Sequence, residues 1–191
     1  MVLAHWTLVT NMATFIMLPN AVTGTNEWRN KAGAPCSFSN VDNDDDDTDY
    51  CKEPTTSHEV TFRLADSSQS GIASITSVQI KFKARNTSTR NNFVKVSQTG
   101  TGISNGTDTI TIAGTGASNT YTLYSGTAET TYDGSTAWDA DLTQINNLEV
   151  KLDKFRNSSL GTETRVSYLY AEVTYVATQQ KDNATFFGAN F

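Results

Sequence analysis

From Val78 to Arg85 the chain alternates apolar and polar side chains without a break: Val78, Ile80, Phe82 and Ala84 on one side, Gln79, Lys81, Lys83 and Arg85 on the other. A period of two is that of a β-strand with one dry and one wet face. No stretch of useful length carries the 3.6-residue period of an amphipathic helix to compete with it. The chain is rich in Thr, Ser, Asn and Gly, and its charged fraction is 18%, below the roughly 25% usual for soluble domains. Its net charge of −6 argues against nucleic acid as a partner. The Lys81, Lys83, Arg85 stripe is read as the solvated face of its strand.

Further strands follow from the same period. Val60, Phe62 and Leu64 alternate with Glu59, Thr61 and Arg63, and Leu148, Val150 and Leu152 with Glu149, Lys151 and Asp153. Short candidates lie at Phe93 to Val96, Ile110 to Ile112 and Tyr121 to Tyr124. The longest late run is Arg165 to Val176, with Leu169, Ala171, Val173 and Tyr175 on one face and Tyr168, Tyr170, Glu172 and Thr174 on the other. Turn signals separate the runs: Asn105-Gly106, Gly100-Thr101-Gly102, Gly114-Thr115-Gly116, Asp133-Gly134 and Asn157-Ser158-Ser159. Trp138 to Ile145 departs from the cadence; Trp138, Leu142 and Ile145 share a helical face, which predicts a short helix closing one end. The expected fold is all-β: an antiparallel β-sandwich of jelly-roll type with one short helix and extended terminal arms.

The ends differ from the middle. Residues 1–27 are expected to be an N-terminal arm or extension, residues 28–177 the sandwich and residues 178–191 a C-terminal tail. The apolar stretch from Trp6 to Val22 is interrupted by Asn11, Pro19 and Asn20, which makes it too short and too polar to span a membrane. It lacks the basic start of a signal peptide, and Met12 is an alternative natural start. The tail closes on Phe186, Phe187 and Phe191. These either tuck back onto the sandwich or anchor in a partner; with Trp6 and Phe15 they form the candidate partner-binding set.

The acidic run from Asp42 to Asp49 invites calcium, which takes about six to eight oxygen ligands. Asp42, Asp44 and Asp46 are the candidate ligands. They match the first part of an EF-hand loop, but Asp47 stands where that loop needs glycine and no helices flank it. The bland alternative is a solvated acidic loop and no cofactor. Cys36 and Cys51 bracket the run. Either they are two thiols, or they form a disulfide closing a loop of about 15 residues, worth about 3 kcal/mol in the chain-entropy model. With only His5 and His58 available, and no nucleophile or phosphate-loop motif, no catalytic residues are assigned.

The chain runs, in order, through Leu18-Pro19-Asn20, Asn26-Glu27-Trp28, Asp47-Thr48-Asp49-Tyr50, Val60 to Asp66, Ile75 to Ile80, Trp138 to Leu142 and Thr164 to Tyr175. That succession resembles a widespread group of tailed-phage virion proteins with a jelly-roll sandwich, over residues 12–177. The two cysteines and the length of the acidic run are departures from it. The resemblance implies a non-enzymatic structural protein of the virion, assembled in the host cytoplasm. It would most simply be a capsid decoration or cement protein that stabilises a phage head. Its partners would be the major capsid protein or other virion proteins, its state a homo-oligomer, without nucleic acid or membrane. Two alternatives stand beside it. One is a carbohydrate-binding module of a tail or fibre using Tyr121, Tyr124, Tyr132, Tyr168 and Tyr170. The other is a subunit of an extracellular filament or tube joined by strand donation from a terminal arm.

Overall fold

The computed structural model describes residues 11–53, 58–114, 120–155 and 163–179. Among the described residues eleven strands follow one another: β1 Met12–Met17, β2 Pro19–Asn26, β3 Arg29–Asn30, β4 Cys51–Glu53, β5 His58–Leu64, β6 Ile72–Asn86, β7 Asn92–Gly100, β8 Ile103–Ile112, β9 Thr122–Glu129, β10 Glu149–Phe155 and β11 Thr164–Ala177. They form two antiparallel sheets. One has the order β3-β4-β11-β6-β9, with β1 also paired to β11; the other has the order β2-β5-β10-β7-β8. This is the β-sandwich that the alternation predicts.

The dry faces meet as expected. Val78, Ile80, Phe82 and Ala84 are buried on β6, opposite Val173, Ala171, Leu169 and Val166 of β11. Val60, Phe62 and Leu64 of β5 and Val150 and Leu152 of β10 supply the other wall, all inaccessible to solvent. Each such side chain contributes about 1.5–3 kcal/mol, so these two faces are the principal source of stability.

β11 carries the decisive irregularity. Val166 and Leu169 both face the core although they differ in parity. A register shift between Val166 and Tyr168 absorbs the extra residue, Ser167. Such a bulge reverses the phase of everything beyond it. Without it, Tyr168 and Tyr170 would share the inward parity of Val166; with it, they point outward. One edge of β11 is covered by three segments in turn. β4 pairs with Thr164 to Val166, the Val41 carbonyl accepts the Leu169 amide at 2.9 Å, and β1 pairs with Ala171 to Val176.

Several expectations are corrected. The sandwich includes residues 12–26, which the expected boundary at residue 28 left out, because β1 and β2 each join a sheet. Phe15, expected as a partner anchor, faces inward on β1, packed on the core with its ring 5.7 Å from that of Tyr175. The Trp138–Ile145 helix is replaced by turns that end in a 3-10 turn at Ile145–Asn147. Leu142 has φ +67°, which no right-handed helix accommodates. The buried trio itself is found: Trp138, Leu142 and Ile145 are all in the core. Asn105-Gly106 is a bulge rather than a turn. It lies inside β8, two residues opposing Gln98 alone. The reversal comes earlier, at Thr101-Gly102. There Gly100, with φ +130°, leaves no room for a Cβ beside the Asn147 carbonyl. Asp133-Gly134 is the turn expected, with Gly134 at φ +83°. Trp6, Phe186, Phe187, Phe191 and the Asn157 turn lie outside the described residues.

Candidate functional site

The site is built on the outer face of the six-stranded sheet, where β6 and β11 present their wet sides. The expected solvated stripe is not solvated at its end: Arg85 is only 6% exposed. The acidic run lies across it. The Asp47 carboxylate accepts from the Arg85 guanidinium at 2.7 Å and from the Tyr121 hydroxyl at 3.3 Å, and pairs with Arg165 at 3.5 Å. Asp44 and Asp46 both meet the Lys83 ammonium, at 2.5 and 3.7 Å. Asp46 also accepts from the Ser167 hydroxyl at 3.5 Å. Asp49 caps the exit of the loop, accepting from the Asn40 amide at 2.6 Å and from the Tyr50 amide N–H at 3.0 Å. The loop meets two cations of β6, with Asp44 and Asp46 sharing Lys83 and Asp47 taking Arg85, while Lys81 pairs with Glu172 of β11.

Two rings close the electrostatic layer. The Arg165 guanidinium lies 4.6 Å from the Tyr50 ring centre, and that of Arg85 lies 5.3 Å from the Tyr121 ring. Burial, before the neighbouring charges, pushes the Tyr121 hydroxyl well above the usual tyrosine range. Asp44 holds the Lys83 ammonium above its ordinary value by the hydrogen bond between them. Burial raises Glu163, but the Arg165 guanidinium at 2.8 Å outweighs it and leaves the carboxyl below its ordinary range.

The calcium set is not assembled in this arrangement. Asp44 and Asp46 share an ammonium, while Asp42 accepts from the Asn43 amide at 2.9 Å. Among the described residues no three His, Cys, Asp or Glu side chains are placed to hold a metal ion. Cys36 and Cys51 are joined as a disulfide, with Cα atoms 5.5 Å apart, inside the range such bonds span. The bridge ties both ends of the loop that carries the carboxylates.

The five candidate tyrosines divide. Tyr121 is buried under Asp47. Tyr124 stacks on Phe82, ring centres 5.8 Å apart, and Tyr132 packs on Trp138 at 6.0 Å. Only Tyr168 and Tyr170 stand on the outer face, half-buried and side by side, with ring centres 5.0 Å apart and planes tilted by 40°. Burial and then Tyr170 push the Tyr168 hydroxyl up. Their cross-strand partners are Lys83 and Lys81, and Lys81 donates to Glu172 at 2.7 Å. Leu123 of β9, 49% exposed, lies opposite Lys83 on the far side. The result is a pair of rings edged by ion pairs and by the acidic loop. The sequence names the rings and both charged stretches; it does not show that the stretches meet.

No family model matches the sequence, and no curated protein matches it. Three solved structures are similar in fold. One is the CBM36-1 domain of a multidomain xylanase from the hindgut metagenome of Trinervitermes trinervoides, with TM-score 0.39 and 9% identity over 85% of this chain and 96% of that one. Another is the enzymatically active domain of tailspike protein 4 of bacteriophage CBA120, with TM-score 0.37 and 15% identity over 84% of this chain and 19% of that one. The third is the family 11 carbohydrate-binding module from Clostridium thermocellum in complex with a beta-1,3-1,4-mixed-linked tetrasaccharide, with TM-score 0.35 and 11% identity over 90% of this chain and 92% of that one. At these values the likeness extends to the β-sandwich arrangement and no further.

Proposed function

We propose that this chain is a non-catalytic binding module that takes a glycan across the outer face of its six-stranded sheet, as part of a phage tail or fibre. The observation that supports this reading is the outward pair Tyr168 and Tyr170, turned to the surface by the bulge at Ser167. The C–H face of a pyranose is apolar and suits the electron-rich face of a tyrosine ring. The surrounding Lys81–Glu172 and Lys83–Asp44 pairs offer donors and acceptors at fixed spacing for the sugar hydroxyls. The two rings are half-buried and pack on each other, which limits the side-chain freedom lost when a sugar settles on them. The test is a glycan array followed by calorimetry, with Tyr168→Ala and Tyr170→Ala singly and together. Loss of binding in the double variant, with the melting temperature kept, supports the reading. A hit that survives the double variant, or no hit at millimolar sugar, defeats it.

A second reading keeps the chain in the virion as a capsid decoration protein. It is favoured by β1, an edge strand that exposes Met12 by 62% and Ile16 by 51% on the same outer face. In this reading those side chains meet the major capsid protein or a second copy of the chain. Co-sedimentation with capsids, weakened by Met12→Asp and Ile16→Asp, distinguishes it from the glycan reading.

A further inference from the structure

The ion pairs around the outer tyrosines are layered. Among the described residues of this face, the carboxylate of each pair is more exposed than the cation it meets. Asp44 and Asp46 are 46% and 50% exposed and their shared Lys83 only 27%, while Glu172 is 29% exposed and its partner Lys81 18%. The order has a cause in the fold. Lys81, Lys83 and Arg85 are rooted on β6, a strand flanked on both sides by β9 and β11. Asp44, Asp46 and Asp47 reach them from the loop that lies across the sheet. A ligand that approaches this face therefore meets carboxylates first.

The count beside the rings leans the same way. Lys83 and Lys81 are the cross-strand partners of Tyr168 and Tyr170. Against these two ammonium groups stand three carboxylates, Asp44 and Asp46 on Lys83 and Glu172 on Lys81. Beyond the bulge, Arg85 and Arg165 are both less exposed than the Asp47 carboxylate they share. The Tyr168 hydroxyl registers the imbalance. Burial and then Tyr170 push it up, and Asp44 pushes it further than Lys83 pulls it back.

From this layering we infer that the tyrosine face chooses its glycan by charge. It admits neutral and amino sugars and turns away uronic and sialic acids, and Asp44, Asp46 and Glu172 are the residues that decide. The inference rests on the reading of Tyr168 and Tyr170 as the sugar platform. A ring stacked there sets its substituents beside the three carboxylates. A hydroxyl or an ammonium donates to them, whereas an ionised sugar carboxylate has no proton to give and only repels. The repulsion acts over about 8 Å at physiological salt and fades as salt rises.

The experiment is a glycan array of the full chain at two salt concentrations, with neutral, amino-sugar and carboxylated members scored separately. Calorimetry then compares galacturonate oligomers with their methyl esters, which differ in charge alone. The expected hits lack carboxylates, and the esters bind more tightly than the acids. In Asp44→Asn with Asp46→Asn the ratio of acid to ester affinity rises by about fivefold or more, and added salt raises it in the native chain. Glu172→Gln lies outside the loop and moves the ratio the same way, so it decides the matter if the double variant melts early. Carboxylated members bound as tightly as neutral ones overturn the inference, as does a ratio that neither variant moves. Either result leaves the tyrosine platform standing so long as Tyr168→Ala with Tyr170→Ala abolishes binding. Absence of binding to every member defeats the platform and the inference together.

Discussion

Replacing Asp47 by alanine tests the latch between the acidic loop and the sheet. Its carboxylate is the shared partner of Arg85, Arg165 and Tyr121. The loss takes a counter-charge at 2.7 Å from a guanidinium that is 6% exposed. Breaking a fully buried pair costs about 3–5 kcal/mol, and a solvent-exposed pair is worth about 0–1 kcal/mol. Asp47 is 41% exposed and Arg85 nearly buried, so the pair stands between these limits, at about 2 kcal/mol. For a domain of this size that is about 4–8 °C in melting temperature. Urea unfolding should show a lower midpoint with an unchanged slope. Arg85→Met removes the charge but keeps much of the packing, so the double variant should lose less than the sum of the single ones. A loss under about 0.5 kcal/mol, or strict additivity of the two changes, refutes the argument that this carboxylate holds the loop down.

Three further outcomes are expected. Cys36→Ser with Cys51→Ser opens a loop spanning 15 residues in sequence and should lower stability by about 3 kcal/mol in urea unfolding, with reductant having no effect on that variant. Asp133, held down to about 2 by the Thr136 and Ser135 amides, stabilises the fold above its unfolded pKa near 4 and loses that contribution as pH falls toward 2. NMR titration should therefore place its midpoint below that of a free aspartate, and Asp133→Asn should flatten the acid limb of the stability curve. Millimolar calcium should leave the melting temperature of the native chain unchanged, because the Lys83 ammonium already occupies Asp44 and Asp46; a rise that depends on calcium concentration would reverse that assignment.

Much of the sandwich was legible in the sequence because a strand between core and solvent has a period of two. Val78 to Arg85, Val60 to Leu64, Leu148 to Leu152 and the second half of β11 all obey it. The failures share one cause. Asn105-Gly106 carries a turn signal and makes a bulge, since Thr101-Gly102 has already reversed the chain and the pairing of β8 with β7 resumes beyond it. Trp138 to Ile145 carries a helical spacing of apolar residues, yet turns deliver the same three side chains to the core. Local patterns state which side chains must be buried, not which backbone path buries them.

The same division governs the candidate site. The sequence alone determined that a run of carboxylates, a stripe of cations, two flanking cysteines and two neighbouring tyrosines exist, and it placed Tyr168 and Tyr170 on the polar face. Only the tertiary structure decided that the carboxylates lie on the cations. That contact joins Asp47 to Arg85 across 38 residues of chain, and it covers the end of a stripe expected to be solvated. The charge pairing on the other sheet was likewise decided by register, because Lys95 stands opposite Asp153 only when β7 and β10 pair. Periodicity is a property of consecutive residues and is written in the chain; the meeting of distant charges depends on which strands lie side by side.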